Sequence, residues 1–451
     1  MWQHQQDAIQ WLATRGGGIL HHGMGSGKSR TTIEYLHAQQ DASRVLICCP
    51  KAVMPAWGKQ FGLWGRGRFR VVLLDQSTKE RKIKALRHAL ADTTPLVIVV
   101  NYDSAWRLKE LEKIEFDTIV WDEVHRLKSP SGRASRWAAR MCANTDGVVI
   151  GLTGTLIPHS ILDAMAIYRA VESPECPTFG DSIVRHRLRY AVENPNQRGM
   201  VLGWRNLEEA HAKIKATTHY VRTRDVIDLP PIRFLTIPVT LTPEEHRLYS
   251  QLSREFVAVV EAGTITAANA LTQLLRLQQI TGGCVRFDER DNVTQISENP
   301  AKQAALADML EDLPADEPVV IFCRFTSDIR LCRLACERLG RGSSELSGQR
   351  NELAEWQDGR TPVLVAQIQS GGIGIDLTRA SYGVFFSLGY SLAEYEQAVA
   401  RLHRPGQTAH TTIYHLVATS TVDCRVYDCL RERKNVVGSI IDGIKSAKCI
   451  V

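Results

Sequence analysis

The sequence predicts an α/β protein with two parallel-sheet domains in tandem, and three observations carry that prediction. Its 451 residues exceed one ordinary core and suit two domains of about 200 residues each. Continuous β-branched runs alternate with amphipathic helical stretches, the pattern of strands covered on both faces. That alternation occurs twice, on either side of a proline-bearing connector.

Taken in order, the first half offers GGGIL (16–20), RVLICC (44–49), FRVVLL (69–74), PLVIVV (95–100), DTIVW (117–121) and GVVIGL (147–152) as strands. Between two of them Ile83, Leu86 and Leu90 recur at helical spacing in KERKIKALRHAL. From about 156 to 220 the strand signal gives way to charged, helical sequence, an insertion closing a first domain of 1–220. RTRDVIDLPPIRF (222–234) then reads as a stiff, extended linker over 221–235, because consecutive prolines exclude helix. The second domain, 236–451, opens with another helical insertion at about 240–315, which includes AANALTQLLRLQQITGG (267–283). Strands resume with EPVVIFCRF (317–325), TPVLVAQI (361–368), SYGVFFSL (381–388) and HTTIYHLV (410–417), and a closing helix is expected over 424–451.

Hydrophobic residues at 44% and charged residues at 23% are ordinary for a globular chain. No apolar run approaches the ~20 residues of a membrane span, and the amphipathic start MWQHQQDAIQWL is not a signal peptide. Eleven cysteines without a secretory signal imply reduced thiols inside a cell. Cys48 and Cys49 sit in an apolar run and read as core. Cys332 and Cys336 are four apart on a predicted helix, with no cluster to complete a zinc site. A net charge of +6 favours a polyanionic partner only weakly. The alternating Arg66, Arg68 and Arg70, the group Lys79, Arg81, Lys82, Lys84 and Arg87, and the alternating Arg185, Arg187 and Arg189 each read, taken singly, as solvated faces.

The chemistry begins at HHGMGSGKSR (21–30). The phosphate-loop pattern G-x-x-x-x-G-K-[ST] is complete except that His22 stands at the opening glycine. Such loops aim backbone N–H groups at an anion from the mouth of a helix, with glycine wherever φ is positive or a Cβ would strike the ligand. Gly23, Gly25 and Gly27 precede Lys28 and Ser29, after a predicted strand and before the helical TTIEYLHAQQ. Lys28 would lie against the β and γ phosphates and the Ser29 hydroxyl would bind Mg²⁺. Downstream, WDEVH (121–125) ends an apolar strand in two carboxylates, delivered to the sheet edge where ligands bind in open α/β folds. Asp122 would hold Mg²⁺ through water, and Glu123 would orient or deprotonate the attacking water. Together the two motifs predict an ATP site.

At this point the chain resembles the Swi/Snf-type ATPases among the superfamily-two helicases, double-stranded DNA translocases. HQQDAIQWL, GMGSGKS, VLICCPKAVMPAW, DEVHRLKSPSGRAS and LTGT (152–155) are similar to successive family motifs, and YVRTRDVIDLPP resembles the inter-lobe connector. The long stretch 365–423, containing QAVARLHRPGQ, is similar to the family throughout. The family's phosphate loop also lacks the outer glycine but has acidic residues where His22 and Gly23 stand. The resemblance implies two RecA-like lobes and Gln5 on the adenine. It also places Gly374 and Asp376 beside the nucleotide, and gives His125, Thr153, Thr155 and Gln397 the coupling of nucleotide to DNA. It implies DNA-backbone contacts from side chains or main-chain amides at Lys51, Asn101 and Tyr102 in the first lobe, and at Arg324, Ser370, Gly371 and Gly372 in the second. Asp376 replaces a usual asparagine, and Gln369 a frequent basic residue.

Arg401 and Arg404, three apart on a predicted helix, share one face. A guanidinium brought to the γ-phosphate stabilises transition-state charge, worth roughly 10³ to 10⁵ in rate for arginine fingers. The expected protein is a DNA-stimulated ATPase, a monomeric motor on double-stranded DNA, with forked or single-stranded DNA as further substrates and no membrane partner. Two alternatives stand beside it: a helicase that separates DNA or RNA strands, and a nucleotide-gated clamp whose hydrolysis has decayed. The short flanks around the motifs suggest a bare motor of bacterial or viral origin, cytoplasmic and nucleoid-associated, or nuclear in a eukaryote.

Overall fold

The apolar runs of the first half become strands of one sheet. The computed structural model describes every residue except 41, 158–159, 176, 195–200, 227–228, 262–266, 287–292, 369–374 and 433–451. The strands are β1 (Gly17–His22), β2 (Arg44–Cys49), β3 (Arg70–Leu73), β4 (Leu96–Asn101), β5 (Thr118–Asp122), β6 (Val148–Thr153), a hairpin of β7 (Ala191–Glu193) and β8 (Val201–Trp204), and β9 (Thr218–Val221). Seven of them form a parallel sheet in the order β3-β4-β2-β5-β6-β1-β9.

Alternate residues of each strand feed opposite faces. Leu46, Cys48, Ile98 and Val100 join one core with Leu86, Ala89, Trp137 and Met141 from helices Lys79–Leu90 and Arg133–Ala143. Val45, Ile47, Cys49, Val97 and Val99 join the other, with Ala8, Leu12, Ile33, Leu36, Trp57 and Phe61 from helices Gln3–Arg15, Lys28–Ala38 and Met54–Trp64. Cys48 and Cys49, neighbours in sequence, are thus both fully buried on opposite faces.

The second sheet contains β10 (Ile232–Val239), β13 (Val319–Cys323), β14 (Ser343–Leu346), β15 (Val363–Gln367), β16 (Tyr382–Phe385) and β17 (Thr411–Ala418), with β11 (Cys284–Arg286) and β12 (Val293–Gln295) as a separate hairpin. Its order is β10-β17-β16-β13-β15-β14, again all parallel. The chain separates into two compact units, Met1–Asp228 and Leu229–Val451. Both are RecA-like parallel-sheet domains flanked by helices.

Seven strands depart from the sequence reading: the hairpins β7–β8 and β11–β12, which interrupt the two stretches expected to be helical, and the sheet strands β9, β10 and β14. β9 begins at the end of the stretch expected to be helical, which holds helices Leu162–Arg169, Ile183–Tyr190 and Leu207–Thr217 together with the β7–β8 hairpin. β10 begins inside the stretch read as a linker and pairs with β17 over its whole length. β14 gives no apolar run at all, being SSEL. β9, β10 and β14 each pair along one edge only; β9 and β14 are four residues long with polar positions, while β10 is largely apolar but stands behind two prolines. Pro231 stands just ahead of β10 and Pro238 within it, positions an edge strand tolerates because the missing N–H need face no partner.

Candidate functional site

β1 delivers the chain to a five-residue loop, 23–27, and helix Lys28–Ala38 begins directly after it. Gly25 (φ +78°) and Gly27 (φ +79°) adopt the left-handed conformation that favours glycine. At Gly27 a Cβ would also fall 2.3 Å from Gln5 Nε2. His22, by contrast, has no positive φ; it is the last strand residue, in register with Val221 of β9. The position that lacks the usual glycine therefore needs none. Ser26 Oγ donates to the Gly23 carbonyl at 2.7 Å, and Gly23 N–H donates to Val221 O at 2.8 Å. Gln5 is fully buried against the loop: its Nε2 donates to Gly27 O at 3.3 Å and its Oε1 accepts from Trp2 N–H at 2.9 Å. The Lys28 ammonium donates to the carbonyls of His22 (2.9 Å) and Gly23 (3.2 Å), and Ser29 stands in the first turn of the helix.

Asp122 is the last residue of β5, at the carboxyl edge that β1 also reaches. Its Oδ2 accepts from Trp57 Nε1 at 2.9 Å and its carbonyl from the Tyr102 hydroxyl at 2.8 Å. Burial first, then the neighbouring Glu123 charge, push its pKa up to about 6, against the opposing pull of the Trp57 bond and Lys28. Glu123 then turns sharply out of the strand at φ 54°, ψ 54°, a left-handed conformation that costs on the order of 1–3 kcal/mol in a non-glycine residue. His125 Nδ1 lies 3.3 Å from Glu123 Oε2 and 3.1 Å from Thr153 Oγ1, at the end of β6. Thr153 Oγ1 in turn accepts from Thr155 N–H at 3.0 Å. His125 thus stands between the acidic motif and the LTGT motif, hydrogen-bonded to Thr153 and within 3.3 Å of Glu123 Oε2.

The candidate nucleic-acid residues fare unevenly. Lys51 is exposed in a short 3₁₀ turn after β2. Asn101 and Tyr102 are buried, with the Tyr102 hydroxyl committed to Asp122. Asn101 ends β4 and Tyr102 opens the short helix Tyr102–Ala105. The Arg324 side chain is turned inward. It donates to Gln278 Oε1 (3.0 Å) and Leu388 O (3.3 Å), with its guanidinium 4.0 Å from the Tyr390 ring centroid. Ser370, Gly371, Gly372 and Gly374 lie outside the described residues.

In the second unit, Gln397 and Arg401 sit on helix Leu392–Leu402, but Arg404 does not. The expected shared helical face is corrected here. Pro405 disfavours helical backbone at the residue before it, and the helix is already over at Leu402. Arg404 is instead held by its loop, its Nη1 donating to Ile375 O at 3.3 Å, while Leu377 N–H donates to Arg401 O at 3.2 Å. Gln407, not anticipated as a site residue, is the clasp: its Nε2 donates to Thr378 O (3.2 Å) and Ala380 O (2.8 Å). Asp376 folds back on its own backbone, accepting from Thr378 N–H and Oγ1 at 3.0 and 2.8 Å. His403 Nε2 lies 2.7 Å from Pro230 O, tying the arginine segment to the prolines ahead of β10. Trp57 and Gln407 were missed because a single side chain reaching a distant carbonyl or carboxylate leaves no periodic trace.

The donor set suits a magnesium-bound triphosphate. Left-handed glycines bare the loop's amides at a helix N-terminus, an ammonium stands beside them, and the nearby hydroxyl and carboxylate are hard oxygen ligands of the kind Mg²⁺ takes. The model of the SNF2-related domain matches residues 4–284, and that of the helicase conserved C-terminal domain matches residues 301–406. The DNA repair and recombination protein RAD54-like of Drosophila persimilis is 24% identical, over 99% of this chain and 64% of its own length. Putative protein p41 of Acyrthosiphon pisum secondary endosymbiont phage 1 is 25% identical, over 93% of this chain and 92% of its own. The chain thus spans under two thirds of its RAD54-like relative and nearly all of the phage protein. A solved structure described as Sulfolobus solfataricus SWI2/SNF2 ATPase core in complex with dsDNA aligns over 99% of this chain and 93% of that one, at 21% identity and a TM-score of 0.44. With one domain model covering more than half of its residues and a second following it in order, the chain belongs to the SNF2-related, helicase-like ATPase family.

Proposed function

We propose that this chain hydrolyses ATP and uses the energy to move along double-stranded DNA, remodelling DNA or the proteins bound to it. The observation that carries the reading is the meeting, at one sheet edge, of the Lys28 loop and the Asp122–Glu123 pair, with Lys28 near enough for its charge to act on the Asp122 carboxyl. Gln5 would read the adenine, the amides of the 23–27 loop and Lys28 would hold the phosphates, and Ser29 and Asp122 would hold Mg²⁺. When bound, Mg²⁺ supplies charge neutralisation on the phosphates. Glu123 would orient the attacking water, and His125, beside that carboxylate and bonded to Thr153, would sense a change there. Arg401 and Arg404, on the second unit, supply the positive charge that stabilises the transition state.

Lys51 and the main-chain amides at Asn101 and Tyr102 would grip the DNA backbone, contacts that register phosphates and ignore sequence. The likeness to a relative named for DNA repair and recombination supports DNA as the track. ATPase rates measured side by side with duplex, single-stranded and forked DNA and with RNA test the reading. Duplex DNA is expected to stimulate most, with a steep loss of stimulation as salt rises. Equal hydrolysis with and without DNA would refute it. A steady yield of separated strands from a tailed duplex, without preference for duplex as activator, would favour the helicase alternative.

A further inference from the structure

Four histidines gather where β1 meets the phosphate loop: His4, His21, His22 and His219. His22 is fully buried, and its Nε2 lies 2.8 Å from His219 Nδ1, across from β1 to β9. The Nδ1 of His22 has no hydrogen-bond partner, so the His219 contact is the one polar bond its ring makes among the described residues. One residue on, Gly23 N–H donates to Val221 O. The end of β1 is therefore clamped to β9 twice, once by side chains and once by backbone. The clamped segment is also the one whose two carbonyls, His22 O and Gly23 O, receive the Lys28 ammonium. Among the described residues no three or more His, Cys, Asp or Glu are arranged to hold a metal ion, these histidines included.

We propose that His22 and His219 are positioning residues of the nucleotide site, acting through the loop carbonyls that set the resting place of Lys28. This rests on the nucleotide reading of the loop. The two imidazoles keep their N–H···N bond unless both rings are protonated, when each nitrogen becomes a donor. Burial prevents that, depressing His22 to about 2, with the His219 and Lys28 charges adding to the effect, and lowering His219 as well. The clamp therefore persists across the physiological range. Lys28 has to leave His22 O and Gly23 O to reach a phosphate, so the clamp bears on capture of the nucleotide more than on the chemical step. β9 runs directly into Arg222 and the segment ahead of the second unit, so the same two bonds also tie the loop to the chain's exit from the first unit.

The test separates the hydrogen bond from the ring. His219→Phe keeps an aromatic ring beside Trp11, now 5.8 Å away, but removes the bond, whereas His219→Asn loses the ring yet places an amide where Nδ1 stood. Equilibrium binding of a non-hydrolysable ATP analogue with Mg²⁺ and steady-state ATPase are measured for both. His219→Phe is expected to raise Kd and KM about three- to tenfold, the worth of one neutral hydrogen bond, with kcat changed by less than about twofold. His219→Asn is expected to bind within about twofold of the parent. If His219→Phe misfolds, His22→Leu against His22→Gln, which keeps an amide at the Nε2 position, asks the same question. Parent-like affinity in His219→Phe, or equal impairment of the Phe and Asn variants, overturns the proposal. A parent chain that binds no nucleotide overturns the reading beneath it instead.

Discussion

At Asp122 two environments compete for one carboxyl, since burial and Glu123 favour its proton while the Trp57 indole favours its charge. The folded chain holds this proton up to about pH 6, whereas an unfolded aspartate releases it near 3.9. The unfolded state thus binds fewer protons between those values, and this group's contribution to stability falls as pH rises from about 4 to 6. On the proposed role of Asp122 as a magnesium ligand, Mg²⁺–ATP needs the ionised form, so its stabilising effect is expected to be larger at pH 7 than at pH 5, as thermal melting with and without ligand would reveal. A ligand-induced shift equal at both pH values would contradict the assignment of Asp122 as a magnesium ligand. Trp57→Phe deletes a hydrogen bond to a charged group, worth about 1.5–3 kcal/mol, and is expected to move the acid limb of the ATPase pH profile upward by about one unit or more. An unmoved limb would show that the indole does not hold the charge. Lys28 and Asp122 were legible from motif and spacing; Trp57 was not, because its partner is 65 residues away.

Among the elements, the arginine segment shows how one proline changes a prediction. Residues 401 and 404 have helical spacing, yet Pro405 takes Arg404 out of the helix and leaves its placement to Ile375 and to Gln407 beneath it. A loop so clasped can still present a fixed guanidinium. Arg404→Ala is expected to lower kcat roughly 10³-fold while leaving Mg²⁺–ATP affinity within a few-fold, because the charge matters chiefly in the transition state. Equal loss of nucleotide affinity with unchanged kcat, by equilibrium binding and steady-state rates, would remove it from that role. Central strands were read from their apolar runs. The edge strands β9, β10 and β14 were not: β9 and β14 are short and partly polar, and β10 follows two prolines that read as a linker. β9 matters most, as it is the strand that holds the 23–27 loop proposed to bind the phosphates.

For the molecule as a whole, each unit has its own two-faced core, and the second also carries an internal ion pair. Lys302 Nζ lies 2.5 Å from Asp423 Oδ2, both almost wholly buried, and donates to Phe386 O at 3.0 Å. Thr281 Oγ1 donates to the same aspartate at 3.1 Å. Lys302→Met strands a buried carboxylate, which costs about 3–5 kcal/mol. Calorimetry is expected to show the transition of the second unit falling while that of the first, followed by its nucleotide-dependent shift, stays in place. A parallel fall of both would mean that the units do not melt separately.

By itself the sequence determined the two parallel sheets, the glycine loop with Lys28 and Ser29, and the carboxylates at the end of β5. These are written in contiguous runs, where period, φ requirements and spacing act locally. The tertiary structure alone decided that His22 meets His219, 197 positions away, that Trp57 holds Asp122, that Arg324 faces inward, and that Gln407 carries the arginine loop. Each of these is a bond between residues brought together by strand order, and strand order is set by how whole faces bury one another.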